Sequence, residues 1–368
     1  MTDKSANDAQ TSSDDAGAQL TPPAVALHAT QYNEWYPRHA RVAPRSVIID
    51  VASIEPDFLA WLEADGLVLP KNSGVARPAN QKRRDDMETD AMSLPSDDED
   101  DEDAPEFPAL TSALRKAIDE YGAVFPKVNW SAPLDAAWMM PGNTLKCNSP
   151  SDVYLLLKSS DFVARDVEQV AELAQAVPDT KLVLVLKEWV DMPHAHEFRC
   201  FVRDGRLIAI CQREIAFYEH LQNADAQETI RRTINKFFQD HIANDTLRDC
   251  MFDVHLNNSL GRAKLIDINP WLPRTDTLLW TYEELDEAAE SAAADSTASS
   301  AADSTASPAK QPAPLRVISS RAQASQSQPT YACNMVPADV KDVGEGKNVA
   351  EFARQWHDYL AASTAEDP

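Results

Sequence analysis

Two aspartates and an asparagine in the second half of the chain have the residue types and spacing to bind a divalent cation. Asp253 and Asp267 lie in two strand-like segments, Cys250 to His255 and Ala263 to Asn269, which flank a turn. Because the aspartates are equally far from that turn, the sequence predicts that they face each other across a hairpin, with Asn269 on the same face as Asp267. Such an oxygen cluster suits Mg²⁺ that bridges nucleotide phosphates, although ordinary polar residues of a hairpin would show the same pattern.

A strand-like run that ends beside an aromatic residue could bind a nucleotide. The run from 184 to 190 ends in Glu188, Trp189 and Val190, and an exposed backbone edge there could hold an adenine through main-chain groups. Arg199 lies on the next predicted strand, where its guanidinium could contact a phosphate. A core tryptophan and a surface ion pair would explain the same residues, and in isolation this second interpretation is the stronger one.

Three lysines are candidates for contact with an anion. Lys127 lies on a strand-like segment between apolar residues, so its ammonium group either extends to the surface or points into a cleft. Lys146 and Lys158 are further candidates with less support from their surroundings. The lysines alone therefore do not decide between a structural role and a binding role.

Other reactive side chains form no recognisable catalytic motif. His194 and His196 have no acidic or cysteine partner at zinc-ligand spacing, so we expect solvated histidines rather than a metal site. The five cysteines include no C-x-x-C pair, and Cys200 and Cys211 are expected to be small buried residues on paired strands. The sequence contains no G-x-G-x-x-G, Walker or G-x-S-x-G motif.

Helices mixed with hairpins must position the candidate residues. Asp204 and Gly205 form the strongest hairpin signal, and Ile266 and Ile268 are expected to bury the face opposite Asp267. One further helix is expected to begin at an N-cap Ser151. The other predicted elements are strands at 46–50, 123–128, 182–186, 198–203 and 206–212, and helices at 57–65, 111–121 and 228–243. This order predicts an α+β fold with largely antiparallel sheets.

The charge balance excludes several classes of partner. The 368 residues include 34 Lys and Arg against 59 Asp and Glu, a net charge of −25, which argues against binding to nucleic acid or to an anionic membrane. No apolar run approaches the roughly 18 residues of a membrane span, and the N-terminus is polar, so we expect neither a span nor a signal peptide. The sequence thus predicts a soluble, cytoplasmic protein.

Three segments have compositions that cannot form a core. They are residues 1–21, residues 71–105 with seven consecutive carboxylates at 97–103, and residues 288–314, where Ala-Asp-Ser-Thr-Ala-Ser occurs twice. Charge repulsion and low complexity predict that all three are disordered. We expect the two internal segments to be dispensable for folding.

Several blocks of sequence, in the same order, resemble the cell division cycle protein 123 family. The resemblance covers about 28–70, 107–285 and, more loosely, 315–340. The blocks that carry it are Trp35-Tyr36-Pro37-Arg38, Phe125-Pro126-Lys127-Val128-Asn129-Trp130-Ser131-Ala132-Pro133, Leu145-Lys146-Cys147, Leu157-Lys158-Ser159-Ser160-Asp161-Phe162, Glu197-Phe198-Arg199-Cys200-Phe201-Val202, Gln212-Arg213-Glu214, Leu265-Ile266-Asp267-Ile268-Asn269-Pro270, Thr275-Asp276 and Leu278-Leu279-Trp280.

This resemblance implies a two-lobed, ATP-grasp-like fold with ATP and Mg²⁺ between the lobes. It also implies an assembly chaperone that binds the γ subunit of eukaryotic translation initiation factor 2 and promotes its association with the α subunit, in support of translation initiation and the cell cycle. Asp253, Asp267 and Asn269 correspond to Mg²⁺ ligands. With Lys146 added as a candidate, the expected ATP contacts are Lys127, Asn129, Ser131, Lys146, Glu188, Trp189, Val190 and Arg199.

The predicted organisation combines the resemblance with the composition. Residues 22–190 form the N-terminal lobe, 191–287 the C-terminal lobe with the metal-binding hairpin, 288–314 a linker, and 315–368 a segment that packs back on the lobes. We expect a monomer. ATP-grasp proteins usually ligate a carboxylate to an amine, so an ATP-dependent ligase is the alternative function, and an acidic binding protein for basic partners is a third.

Overall fold

Two β-sheets form the framework of the chain in a computed structural model, which describes residues 24–74, 104–273, 275–300 and 312–326. The strands are β1 (Ser46–Asp50), β2 (Val124–Lys127), β3 (Val183–Glu188), β4 (Glu197–Arg203), β5 (Arg206–Gln212), β6 (Cys250–Leu256), β7 (Ala263–Pro270) and β8 (Leu315–Arg316). The first sheet has the strand order β1-β3-β2 and the second β7-β6-β4-β5-β8. Only the pairing of β5 with β8 is parallel among the described strands, so the predicted α+β fold with largely antiparallel sheets is confirmed.

Helices cover both sheets. They are α1 (Ala24–Ala29), α2 (Tyr32–His39), α3 (Val51–Ile54), α4 (Phe58–Glu63), α5 (Pro108–Tyr121), α6 (Pro150–Lys158), α7 (Asp161–Ala176), α8 (Ala224–Phe237), α9 (Tyr282–Ser300) and α10 (Arg321–Gln326). A π-helical turn, Phe238–Ile242, extends α8. Within the described residues, no helix has the length and apolar character needed to cross a membrane.

The two predicted hairpins form, and the predicted pairing within the second one is confirmed. At the first turn, Asp204 and Gly205 have φ values of 51° and 71°, as a two-residue turn between right-twisted strands requires. At the second, Asp253 pairs directly with Asp267. The register between these strands shifts immediately after Asp253, because a β-bulge inserts one extra residue into β7.

Local capping explains two differences from the predicted helices. Helix α6 begins two residues earlier than expected, because Ser149 rather than Ser151 is its N-cap. The Ser149 hydroxyl accepts the backbone N–H of Asp152, and the Asp152 carboxylate accepts the N–H of Ser149 at 2.9 Å. Helix α7 was not predicted, although Ser160 caps it by accepting the N–H of Val163 at 3.2 Å.

Helix α9 continues into the predicted linker. It ends at Ser300, whereas the sequence predicts low-complexity structure from residue 288. Alanine has the highest helix propensity, and Ala288, Ala289 and Ala292 pack against a core cluster around Trp280. Residues 301–311 lie outside the described structure, as do 1–23 and 327–368. Residues 312–326 pack back on the second sheet through β8.

The flanks of the acidic insert belong to the fold. The Lys71 N–H donates to the Pro105 carbonyl at 2.9 Å, and the Ser151 N–H donates to the Ser73 carbonyl at 2.8 Å. Residues 71–74 and 104–105 of the predicted insert therefore belong to the described structure, and residues 75–103 lie outside it. The acidic run at 97–103 is among the residues outside it.

Replacing residues 75–103 with a short Gly-Ser linker is expected to change the free energy of unfolding by about 0.5 kcal/mol or less, because loop-closure entropy varies slowly with loop length. Urea denaturation of the variant beside the parent measures this change. A variant with a scrambled 75–103 segment of the same composition serves as the control. A loss as large as that of a core substitution, in either variant, would show that the native segment contributes to the fold.

Candidate functional site

A cleft of about 400 Å³ opens between the two sheets. Residues of β2 and β3 line one side, residues of β4, β6 and β7 the other, and the segment that joins β3 to β4 lies between them. The charged residues that line it are Arg165, Asp166, Lys187, Glu188, Asp191, Glu197, Arg199, Arg213, Asp253, Asp267 and Asp276. A cleft of this size and charge can hold a polar ligand such as a nucleotide.

Asp253 is a buried carboxylate of the cleft that two arginines hold in place. Its two oxygens accept hydrogen bonds from Nε and Nη2 of Arg199, both at 2.8 Å, and one of them accepts a third from Nε of Arg213 at 3.2 Å. Asp253 is 2% exposed. Burial alone would raise its pKa, but the two arginines hold the pKa of this carboxyl well below its usual range.

Asp267 connects the two sheets through an ion pair. The ammonium group of Lys127, on β2, lies 2.6 Å from each carboxylate oxygen of Asp267, on β7. Lys127 is 1% exposed and lies behind Asp267, so Asp267 lines the cleft whereas Lys127 does not. The Lys127 ammonium group therefore neither extends to the surface nor lines the cleft, and the anion that it contacts is a carboxylate of the predicted metal site.

The bulge in β7 corrects one expectation about this strand. Val254 pairs with Leu265, one residue out of register with the Asp253–Asp267 pair, which leaves Ile266 as the extra residue. Ile268 is buried as expected, but Ile266 lines the cleft beside Asp267. Strict alternation predicts the opposite, because it assumes an unbroken ladder.

Lys187 is a site residue that the sequence analysis missed. It is 6% exposed and lines the cleft, and its ammonium group donates to the Ile266 carbonyl at 2.8 Å. No carboxylate of the described residues lies within ion-pair distance of it; the rings of Phe125 and Tyr32 lie 5.4 and 5.7 Å away. Burial lowers its pKa to about 8. Its position at the end of the apolar run of β3 is the sequence feature that could have indicated a lysine in the cleft wall.

The segment after β3 forms an aromatic wall. Glu188, Trp189 and Val190 all line the cleft, and the Trp189 ring stacks on Phe125 at 6.5 Å, so Trp189 is not a core residue. Because β3 is the central strand of its sheet and the Trp189 N–H donates to the Ala123 carbonyl, this N–H is not available to an adenine.

The Glu188 carboxylate is held by a surface arginine. It accepts from Nε and Nη2 of Arg45 at 3.0 and 2.9 Å. These hydrogen bonds lower the pKa of Glu188, so the carboxylate stays charged. Arg45 thereby fixes the side chain at the point where the chain leaves the first sheet.

Three of the predicted ATP contacts lie in different places, and only one of them lines the cleft. Ser131 lines the cleft, and its hydroxyl and N–H both donate to Asp166, at 2.9 and 2.7 Å. Asn129 is fully buried, and its amide bonds to Gln31 and to the backbone of 181 and 183, so it supports β3 from outside the cleft. Lys146 is exposed and is not part of the cleft wall.

The histidines divide into an exposed and a partly buried set. His194 is 71% exposed beside Glu197, as expected of a solvated residue. His196 is partly buried, with its ring 5.4 Å from that of His220 and 6.2 Å from that of His255, so the expectation that it is solvated is wrong. The two cysteines predicted to be small core residues are both fully buried, and the four described cysteines are free thiols.

Comparison with known proteins identifies the family. The model of the D123 family matches residues 35–344. The chain belongs to the D123 family. This match covers both sheets and every residue of the cleft discussed above.

Relatives in this family share both sequence and fold with the chain. A Schizosaccharomyces pombe protein named translation initiation factor eIF2 assembly protein is 36% identical, over 90% of this chain and 95% of its own. Proteins of the same name from Aspergillus fumigatus and Xenopus laevis are 32% and 40% identical, over 93% and 69% of this chain and 91% and 76% of theirs. The solved structure of Cdc123 from S. pombe superposes with a TM-score of 0.57 at 30% identity, covering 80% of this chain and 98% of that one.

The cleft residues of this D123-family chain fit a magnesium nucleotide. No three His, Cys, Asp or Glu side chains converge as metal ligands within the described ranges. Mg²⁺ typically takes only one or two protein carboxylates and completes its shell with phosphate oxygens and water. Asp253, Asp267 and the Asn269 amide, which bonds no other described side chain, would supply that partial set, while Lys187 and Arg199 would contact phosphates.

Proposed function

We propose that this chain binds Mg²⁺–ATP in the cleft and acts in the cytoplasm as an assembly chaperone of eukaryotic translation initiation factor 2. In this proposal it binds the γ subunit of the factor and promotes its association with the α subunit. Membership of the D123 family and the names of the relatives support the assembly role.

One observation carries the nucleotide part of the proposal: Lys187 is a buried ammonium group in the cleft wall without a carboxylate partner among the described residues. A buried charge without a counter-ion is costly, so a binding role explains it better than a structural one. The carboxylates Asp253 and Asp267 lie across the same cleft, bonded to cations of the chain. A bound metal ion would coordinate these carboxylates in place of their present partners. The cations that now bond to the carboxylates could then bond to the phosphates.

The position of the cleft connects nucleotide binding to assembly. Lys187 belongs to the first sheet, whereas Arg199 and the Asp253–Asp267 pair belong to the second. A nucleotide that contacts both sheets would favour one relative arrangement of the lobes. A partner that touches both lobes would then meet a surface that is already ordered, which lowers the entropic cost of binding.

Asn269→Ala is expected to weaken Mg²⁺–ATP binding about tenfold or more while leaving the thermal stability of the ligand-free protein unchanged. The reason is that the Asn269 amide lines the cleft without supporting another described side chain. Calorimetric titration with Mg²⁺–ATP and a melting curve measure the two effects. Asn257→Ala, in the turn of the same hairpin and outside the cleft wall, is the control for loss of an amide from this hairpin. Equal affinity in the parent and Asn269→Ala would remove Asn269 from the site.

The assembly part of the proposal needs its own measurement. Purified α and γ subunits are mixed with the parent chain or Asn269→Ala, with and without Mg²⁺–ATP, and formation of the α–γ complex is followed over time. We expect acceleration by the parent with nucleotide and a smaller effect of the variant. A covalent product from ATP with an amino acid or peptide would instead favour the ligase, and assembly at an unchanged rate without nucleotide would exclude the nucleotide-dependent mechanism.

A further inference from the structure

The ladder between β2 and β3 gives the cleft a direction. Val124 lies opposite Glu188, at the aromatic end, and Lys127 lies opposite Val185. Further along, the side-chain oxygen of Asn129 accepts a hydrogen bond from the N–H of Val183. From Glu188 to Val183 a strand advances about 16 Å, a length that an extended nucleoside triphosphate can span. A base held at Trp189 therefore directs the phosphates toward the residues that follow Asn129.

Helix α7 closes that far end. The N–H groups of Trp130 and Ser131 donate to the Asp166 carboxylate of α7 at 2.9 and 2.7 Å. One residue before Asp166, Arg165 lines the same cleft. The aromatic end and the α7 end of the cleft are thus separated by the length of the β2–β3 ladder.

Arg165 differs from the other cations of the cleft wall in its bonding. Arg199 and Arg213 bond to Asp253, and Lys187 bonds to a backbone carbonyl. The guanidinium of Arg165 lies 5.0 Å above the Phe162 ring and has no hydrogen bond or ion pair with another described residue. A ring contact of this kind orients a guanidinium without using its N–H donors, so the donors remain available to an anion.

We propose that Arg165 binds the terminal phosphate of the nucleotide and makes the cleft discriminate ATP from ADP. This inference rests on the proposed nucleotide binding and adds a specificity residue to it. A guanidinium presents paired N–H donors that match two oxygens of a phosphate. Its place at the α7 end assigns it to the phosphate farthest from the base, whereas Lys187, opposite Phe125 near the aromatic end, lies closer to the phosphates that ADP also has.

The test compares two ligands in three proteins. Calorimetry gives the dissociation constants of Mg²⁺–ADP and of a magnesium complex of a non-hydrolysable ATP analogue for the parent, Arg165→Met and Arg232→Met. Met keeps an unbranched apolar stem without the guanidinium, so it can still pack against Phe162. Arg232 is an exposed arginine of α8, away from the cleft wall, and its replacement removes the same charge from the protein.

The parent is expected to bind the ATP analogue more tightly than ADP. In Arg165→Met we expect the affinity for the analogue to fall about tenfold and the affinity for ADP to change less than about twofold, as loss of one charge-assisted contact predicts. Arg232→Met should keep the parent ratio. An equal loss for both ligands, or a ratio unchanged in Arg165→Met, would overturn the role of Arg165 and leave nucleotide binding intact. A parent that binds neither ligand would overturn the proposed function together with this inference.

Discussion

Asp253→Ala is expected to lower the free energy of unfolding of the ligand-free protein by about 3–5 kcal/mol, in addition to weakening Mg²⁺–ATP binding. The carboxylate bonds to Arg199 and Arg213, and both Asp253 and Arg199 are buried. Its removal leaves the Arg199 guanidinium inside the protein without its counter-ion. Denaturant unfolding of the parent and the variant at neutral pH measures the loss.

A second substitution separates the lost ion pair from a general packing defect. In the Asp253→Ala background, Arg199→Met is expected to restore part of the stability, because it removes the uncompensated charge and keeps an unbranched side chain of similar length. Asp240→Ala, which breaks an exposed pair with Lys236, is the control and should leave the unfolding transition in place. If the double variant is no more stable than Asp253→Ala, the charge of Arg199 is not the cause of the loss.

At acidic pH, the free energies of unfolding of the parent and of Asp253→Ala should become more similar. The pKa of Asp253 is lowered in the folded protein, so the unfolded chain takes up the proton first as the pH falls. The stabilisation by this carboxylate is fully present above the ordinary aspartate pKa of about 4 and decreases below it.

The sequence predicts those features that depend on local register. The sequence correctly predicts that Asp253 and Asp267 pair across one turn, but their direct pairing also depends on the bulge. Leu256 pairs with Ala263 next to the turn, and an unbroken ladder from that pair would place Ile266 opposite Asp253. The Asp204–Gly205 hairpin follows from the φ preferences of its turn residues. The α+β class follows from the same hairpins. The bulge beside Asp267 adds one residue without a distinctive composition, so the orientation of Ile266 could not be predicted.

Features that depend on contacts between distant segments are not predictable from the pattern. Lys127 and Asp267 are 140 residues apart in the chain, and only the packing of one sheet against the other brings them together. Asn129 is polar and lies two residues before Ser131, which lines the cleft. Its amide nevertheless bonds to backbone groups around β3 and not to the cleft. A single sequence gives residue types, whereas the direction of each side chain depends on partners supplied by the fold.

Lys187→Met is expected to change stability and binding in opposite directions. In the ligand-free protein it should raise the free energy of unfolding by about 1–2 kcal/mol, because it removes a buried charge at the cost of one hydrogen bond to the Ile266 carbonyl. It should also weaken Mg²⁺–ATP binding tenfold or more, since the phosphates lose a desolvated cation. Melting curves and calorimetry on the same preparations measure both effects.

The stability and the nucleotide affinity of the parent should both change with pH as Lys187 titrates. Burial lowers the pKa of Lys187 from 10.5 to about 8, so between these values the unfolded chain holds a proton that the folded chain has released. The stability of the ligand-free parent should therefore rise with pH over this range relative to that of Lys187→Met. Its affinity for Mg²⁺–ATP should fall above pH 8 as the amine becomes neutral, whereas the variant should lack that part of the pH dependence.

Lys181→Met provides the matched control, because Lys181 lies just before the same strand and pairs with Asp50 at the surface. Its affinity for Mg²⁺–ATP and the pH dependence of that affinity should equal those of the parent. A structural lysine at 187 would give the reverse result, a less stable Lys187→Met that binds the nucleotide as tightly as the parent. That outcome would remove the observation on which the nucleotide site rests, since the buried ammonium group would then be satisfied by the protein alone.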